Sequence, residues 1–131
     1  MKVCPQLYIR GSVDAAAFYQ AAFGLVIGMT DMNPDGTYKH VSLLSGDTEI
    51  LAIGENPENT CYYDAAKRKD PISINLWELG SNEAVDRAFA VLSTGAHRID
   101  AAPGTPEWAD EGEFYAFSVI DKYGVNWWVC G

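Results

Sequence analysis

The sequence predicts an α+β fold made of two repeated βαβββ modules, each with one main helix. Three observations carry that expectation. The stretch Leu7-Tyr8-Ile9-Arg10-Gly11-Ser12-Val13-Asp14-Ala15 returns as Leu76-Trp77-Glu78-Leu79-Gly80-Ser81-Asn82-Glu83-Ala84, a shift of 69 positions that keeps Leu, an aromatic, Gly-Ser, an acid and Ala in register. Self-similarity at a fixed spacing outranks local propensity as a guide to architecture. Strand-like alternations outnumber helical patterns and fall in neighbouring pairs, so the strands pair locally. Finally, 131 residues suffice for a single domain with a real core, one that buries about two thirds of its unfolded surface.

Taken in order, Val3 to Arg10 is the first strand, with Leu7 and Ile9 on one face and Cys4, Gln6 and Tyr8 on the other. Gly11-Ser12 hands over to a helix from Val13 to Phe23. Ser12 is placed to cap it, Asp14 suits the positive end of its dipole, and Gly24 is its stop. Val13, Ala16, Ala17 and Phe23 are its expected apolar stripe. Leu25 to Met32 returns as a strand, and Asn33-Pro34-Asp35-Gly36 has the composition of a turn. Tyr38 to Ser45 and Thr48 to Gly54 form a hairpin about Gly46-Asp47, which closes module 1–54.

Residues 55–70 are polar, hold Pro57 and Lys67-Arg68-Lys69, and read as a linker with room for a short helix over Cys61 to Lys69. Module 71–131 repeats the order. Ile72 to Leu79 is a strand, and Asn82 to Ser93 a helix capped by Ser81. That helix carries Val85, Ala88, Phe89 and Leu92 on one stripe and stops at Gly95. His97 to Ala101 is a short strand and Pro103 to Gly112 a loop holding Trp108. Phe114 to Asp121 and Val125 to Cys130 form the closing hairpin.

The net charge of −9, from 18 acids and 9 bases, argues against a nucleic-acid partner. It favours a cationic ligand or simply a soluble surface. Met1-Lys2-Val3-Cys4-Pro5 lacks the apolar run of a signal peptide, and no stretch has the length of a membrane span, so no membrane partner is expected. Cys4, Cys61 and Cys130 are odd in number and lack metal-type spacing, which fits reduced cytoplasmic thiols.

Three stretches carry a family resemblance: Ala17-Phe18-Tyr19-Gln20-Ala21-Ala22-Phe23-Gly24, Trp108, and Asp121-Lys122-Tyr123-Gly124-Val125-Asn126-Trp127. Together with the doubled module they resemble the vicinal-oxygen-chelate superfamily of glyoxalase I, ring-opening dioxygenases and bleomycin-resistance proteins, and within it the PhnB-like, demethylubiquinone-methyltransferase-like branch. The resemblance implies that each module curls into half of an open barrel, that the halves share one cavity, and that the protein is a homodimer. The signature residues also have a plain structural reading: Phe18, Tyr19 and Phe23 seat the helix, Gly124 permits a tight turn, and Trp127 fills core.

Metal-using members hold their ion from the first and fourth strands of each module. Those positions fall here on Cys4 or Gln6, Ser73 or Asn75, Ala52 and Trp128. Thiol, hydroxyl, amide, methyl and indole are not the imidazole and carboxylate donors that a divalent ion takes, so no metal cofactor is expected. The same faces offer a ligand wall instead, with Gln6, Tyr8, Asn75, Trp77, Asn126 and Trp128 joined by Trp108, Tyr115 and His40. Glu107, Asp110, Glu111 and Glu113 lie beside Trp108 in sequence.

His40, with Ser42, is a candidate general base, and Tyr8, Tyr115 and Cys4 are candidate acids or nucleophiles without a visible activating partner. No cofactor motif of a methyltransferase is present. Three readings stand: a metal-independent protein that sequesters a small aromatic or cationic molecule in the cavity between the modules or at a dimer groove, a lyase, isomerase or dioxygenase with atypical metal ligands, and a scaffold whose cavity is filled. A dimer formed by edge contacts and one formed by module exchange are both open.

Overall fold

The computed structural model describes residues 1–58 and 72–131. The chain divides into two compact units, Met1–Cys61 and Tyr62–Gly131, each with one helix and one four-stranded sheet. Most of the expected linker lies outside the described residues.

In the first unit, β1 (Gln6–Ile9), α1 (Ser12–Phe23), β2 (Val26–Met32), β3 (Tyr38–Ser45) and β4 (Thr48–Glu55) form a sheet of order β1-β4-β3-β2. β1 lies parallel to β4, with Gln6 opposite Ala52 and Tyr8 opposite Gly54, and the other pairs are antiparallel. The βαβββ order is as expected, but β1 starts later than Val3. Pro5 has no N–H to give, so the ladder begins beyond it, and the Pro5 carbonyl accepts from Ala52 N at 2.9 Å. Alternation along β3 and β4 buries Val41, Leu43, Leu51 and Ile53 beneath the helix.

The helix meets that face with Ser12, Ala15, Ala16, Tyr19 and Ala22. The expected stripe is out of phase: Ala16 belongs to it, whereas Val13 and Ala17 are exposed. The cap also differs from expectation. Gly11, in a left-handed conformation (φ 83°), is the capping residue, and Ser12 is already helical. The Glu55 carboxylate accepts from the backbone N–H of Gly11 (2.8 Å) and of Ser12 (3.1 Å), so β4 caps the helix across the sheet. Ser12 Oγ instead donates to Glu55 and accepts from Tyr38 N at 2.9 Å.

The second unit repeats the topology. β5 (Ile74–Leu76), α2 (Asn82–Leu92), β6 (Arg98–Gly104), β7 (Ala116–Ile120) and β8 (Asn126–Cys130) form a sheet of order β5-β8-β7-β6, with β5 parallel to β8. Here Ser81 caps as expected, its hydroxyl accepting from Ala84 N at 3.1 Å. α2 buries Val85, Ala88 and Leu92 against a sheet face holding Phe117, Val119, Trp127 and Val129. Phe89 sets its ring edge-on to Phe117 at 5.3 Å.

Two strands depart from expectation. β5 is three residues rather than eight, because Glu78 adopts a left-handed backbone (φ 60°) and ends the extended run. β6 runs on through Pro103 and Gly104 with breaks in register, which an outer strand accommodates.

The Asp121-Lys122-Tyr123-Gly124 segment has a specific physical basis. Asp121 is fully buried, and its Oδ1 accepts from Tyr123 N (2.8 Å) and Val125 N (3.1 Å). Its Oδ2 accepts from Trp127 Nε1 at 2.8 Å, and Gly124 supplies the positive φ of 81° that the turn needs. One carboxylate therefore fixes both the β7–β8 turn and the orientation of the largest core side chain. Tyr19 stacks on Phe23 and meets Phe18 edge-on, which accounts for the aromatic pattern of α1. Among the described residues no helix is long and apolar enough to cross a membrane.

Candidate functional site

The helix-free face of the second sheet carries an aromatic wall. Asn126 and Trp128 alternate with buried Trp127 and Val129, so they point away from α2. Asn75 lies opposite Trp128 in the ladder, exposed, with its Oδ1 accepting from Ser73 Oγ at 3.1 Å. Trp77, just beyond β5, sets its ring 4.6 Å from that of Trp128 and 6.0 Å from that of Phe114. Trp108, carried in by the loop after β6, lies 5.3 Å from Phe114 and 6.5 Å from Trp128.

Four rings thus converge, yet Trp77 remains 54% and Trp108 66% exposed. Tryptophan is ordinarily well buried, and a solvent-facing aromatic cluster marks a binding surface more often than a packing one. Glu107, Asp110, Glu111 and Glu113 beside Trp108 are all exposed, and Glu113 turns back to accept from Asp110 N at 3.0 Å. Phe114, the ring that joins Trp77 to Trp108, stood in the sequence only as the start of a strand. Tyr115 points elsewhere: its hydroxyl donates to Asp86 of α2 at 2.8 Å, which pushes its pKa up.

The corresponding face of the first unit is polar. Cys4 Sγ donates to Glu49 Oε1 (3.2 Å), Ser42 Oγ donates to the same oxygen (3.3 Å), and His40 Nε2 lies 3.3 Å from Ser42 Oγ. Lys2 Nζ approaches Glu49 Oε2 at 3.7 Å. His40 and Ser42 do come together as their spacing suggested, but the order of the chain is wrong for a nucleophile. The hydroxyl sits between imidazole and carboxylate, and Ser42 is only 4% exposed.

Burial, then the bond to Glu49 and its charge, push the Cys4 thiol up to about 11 against a weaker opposing pull from Lys2, so it stays protonated and unreactive. The bond from Cys4, followed by those of Ser42 and the charges of Lys2 and His40, holds the Glu49 carboxyl below its ordinary range. Gln6 and Tyr8 lie over Gly54, where an added Cβ would stand 3.1 Å from Gln6 Nε2 and 3.4 Å from Tyr8 Cε1.

At the positions where the resemblance would seat a metal, the ladders place Gln6 beside Ala52 in one unit and Asn75 beside Trp128 in the other, and the alternatives one pleat earlier are Cys4, bonded to Glu49, and Ser73, bonded to Asn75. Two neutral amides, a methyl group and an indole do not fit a catalytic divalent ion. Among the described residues no three His, Cys, Asp or Glu side chains form a metal-holding group.

No protein-family model matches the chain, and no curated protein sequence does. Solved structures do. Protein PA1353 from Pseudomonas aeruginosa is similar at a TM-score of 0.70 and 21% identity, over 98% of this chain and 96% of that one. The PhnB protein from Bacillus cereus gives 0.70 and 18%, over 98% of both chains. The fosfomycin resistance protein FosX from Listeria monocytogenes, solved with Mn(II) and sulfate, gives 0.62 and 13%, over 100% and 91%. Doubled βαβββ topology, two open mixed sheets and these likenesses agree: the chain has the vicinal-oxygen-chelate fold.

Proposed function

We propose that this protein binds a small organic molecule, aromatic or cationic, at the aromatic wall of the second unit, without a metal ion and without making a covalent bond. The observation that carries this reading is the convergence of Trp77, Trp108, Phe114 and Trp128 with two of the indoles left to solvent. Indole faces attract planar rings by stacking and cations by their quadrupole. The four acids of the Trp108 loop add negative potential. The donors at the ligand positions support a metal-free mode. The free thiols Cys4 and Cys130 support a cytoplasmic setting. Val26, Met29 and Met32, exposed along the outer strand β2, support a homodimer.

The test is titration of the purified protein with benzyltrimethylammonium, read by tryptophan fluorescence and thermal melting. Binding should raise the melting point, and Trp108→Ala should weaken it about 10-fold or more. Equal binding by Trp108→Ala and Trp77→Ala variants would overturn the assignment.

A rival reading, a metal-dependent lyase, isomerase or dioxygenase with atypical ligands, draws on the likeness to FosX with its Mn(II). It requires about one equivalent of divalent metal retained through purification, and loss of that metal on replacing Cys4, Gln6 or His40.

A further inference from the structure

We propose that the first unit holds a separate binding groove for a small planar carboxylate, floored by Tyr8 and flanked by Arg10 and Lys39. Two cavities of about 550 and 430 Å³ share Asp35, Thr37, Glu55 and Pro57 in their walls. Tyr8 and Lys39 line the larger and Arg10 the smaller. Tyr8 is 69% exposed, so its ring offers surface to a flat ligand.

The balance of charge decides the ligand. The chain is acidic overall, with 9 bases to 18 acids, yet neither Arg10 nor Lys39 forms an ion pair among the described residues. The acids of the groove are already engaged. Glu55 gives both oxygens to the amides of Gly11 and Ser12. Asp35 Oδ1 accepts from Thr37 Oγ1 at 2.6 Å and Thr37 N at 2.9 Å, bonds that hold its carboxyl below the usual range. Lys39 in the larger cavity and Arg10 in the smaller, neither ion-paired among the described residues, are therefore the groups left for a ligand's oxyanion. Because Asp35, held below the usual carboxylate range by its Thr37 bonds, keeps its charge in the wall of the groove, a monoanionic carboxylate is favoured over a doubly charged phosphate. The groove uses no residue of the aromatic wall, so either site stands or falls without the other.

The experiment is amide-resolved NMR titration of the ¹⁵N-labelled full chain with benzoate, phenyl phosphate and benzyl alcohol. Benzoate should shift the amides of Gly11, Thr37 and Lys39 saturably while leaving the indole N–H signals of Trp77 and Trp108 in place. Phenyl phosphate should bind more weakly and benzyl alcohol weaker still. The double variant Arg10→Gln/Lys39→Gln, exposed at both positions and so expected to keep the parent's melting point, should lose about 10-fold or more in benzoate affinity. Tyr8→Ala should weaken benzoate binding without moving the melting point. Absence of saturable shifts, phosphate binding as tight as benzoate, benzyl alcohol binding as tight as benzoate, or undiminished affinity in the double variant would each overturn the proposal.

Discussion

The two units share a strand order, a parallel first-to-last pairing and a single covering helix, yet their helix-free faces have opposite chemistry. Ala52 beside Gln6 becomes Trp128 beside Asn75. A chain of thiol, carboxylate, hydroxyl and imidazole in the first unit stands against four aromatic rings in the second. The helix-covered faces could not diverge so far, since each must fill its space with apolar volume at near-crystalline density. The lesson is that topology constrains one side of each sheet and leaves the other to specialise.

That contrast can be broken most forcefully at the two closing turns. The β7–β8 turn hangs on buried Asp121, whereas the β3–β4 turn of the first unit relies on Gly46 in a left-handed conformation. Asp121→Ala should cost about 3 kcal/mol, because it strips partners from two amides and the Trp127 indole. Asp47→Ala, at the exposed equivalent turn, should stay within about 0.5 kcal/mol by urea unfolding. Next in size, Glu55→Ala removes a cap reaching across from another strand and should cost about 1–2 kcal/mol, against about 1 kcal/mol for Ser81→Ala. If both cap variants cost the same, the two helices are anchored more alike than their geometry indicates.

Smaller effects sharpen the polar cluster. The Cys4 thiol keeps its proton to about 11 in the folded protein against an ordinary value of 9.0. Between those values the native state binds a proton that the unfolded chain has released, so stability should fall as pH rises from about 9 to 11. Cys4→Ser should remove that slope. By peptide mapping, iodoacetamide should alkylate Cys4 at pH 8 about 100-fold more slowly than an unhindered thiol. At the acidic end the sign reverses. The lowered Glu49 carboxyl stabilises the fold above its ordinary range and loses that contribution as pH falls through its folded value. Glu49→Gln should flatten the acid limb.

Much of this fold was legible because the repeat carries strand, cap and helix together, and because Gly24, Ser81 and Gly124 act locally, through their own backbones or hydroxyls. Ser12 misled because its cap is tertiary: Glu55 is 43 residues away, and no local pattern announces a carboxylate arriving from another strand. The apolar stripe of α1 was ambiguous for a related reason, since alanines at 15, 16, 17, 21 and 22 give the helix no strongly preferred side. At the candidate site Trp77, Trp108 and Trp128 were visible as residues, but their meeting point depends on the loop after β6. Phe114, Glu49 and Lys39 were hidden within ordinary strand patterns.

Glu78 sets one more condition on how this molecule can change. Its left-handed backbone, which a side chain occupies at a cost of about 1–2 kcal/mol, directly follows Trp77. Glycine at that position would relieve the strain while widening the backbone freedom next to the indole. A gain in backbone stability at residue 78 would therefore come with a less firmly fixed Trp77 ring.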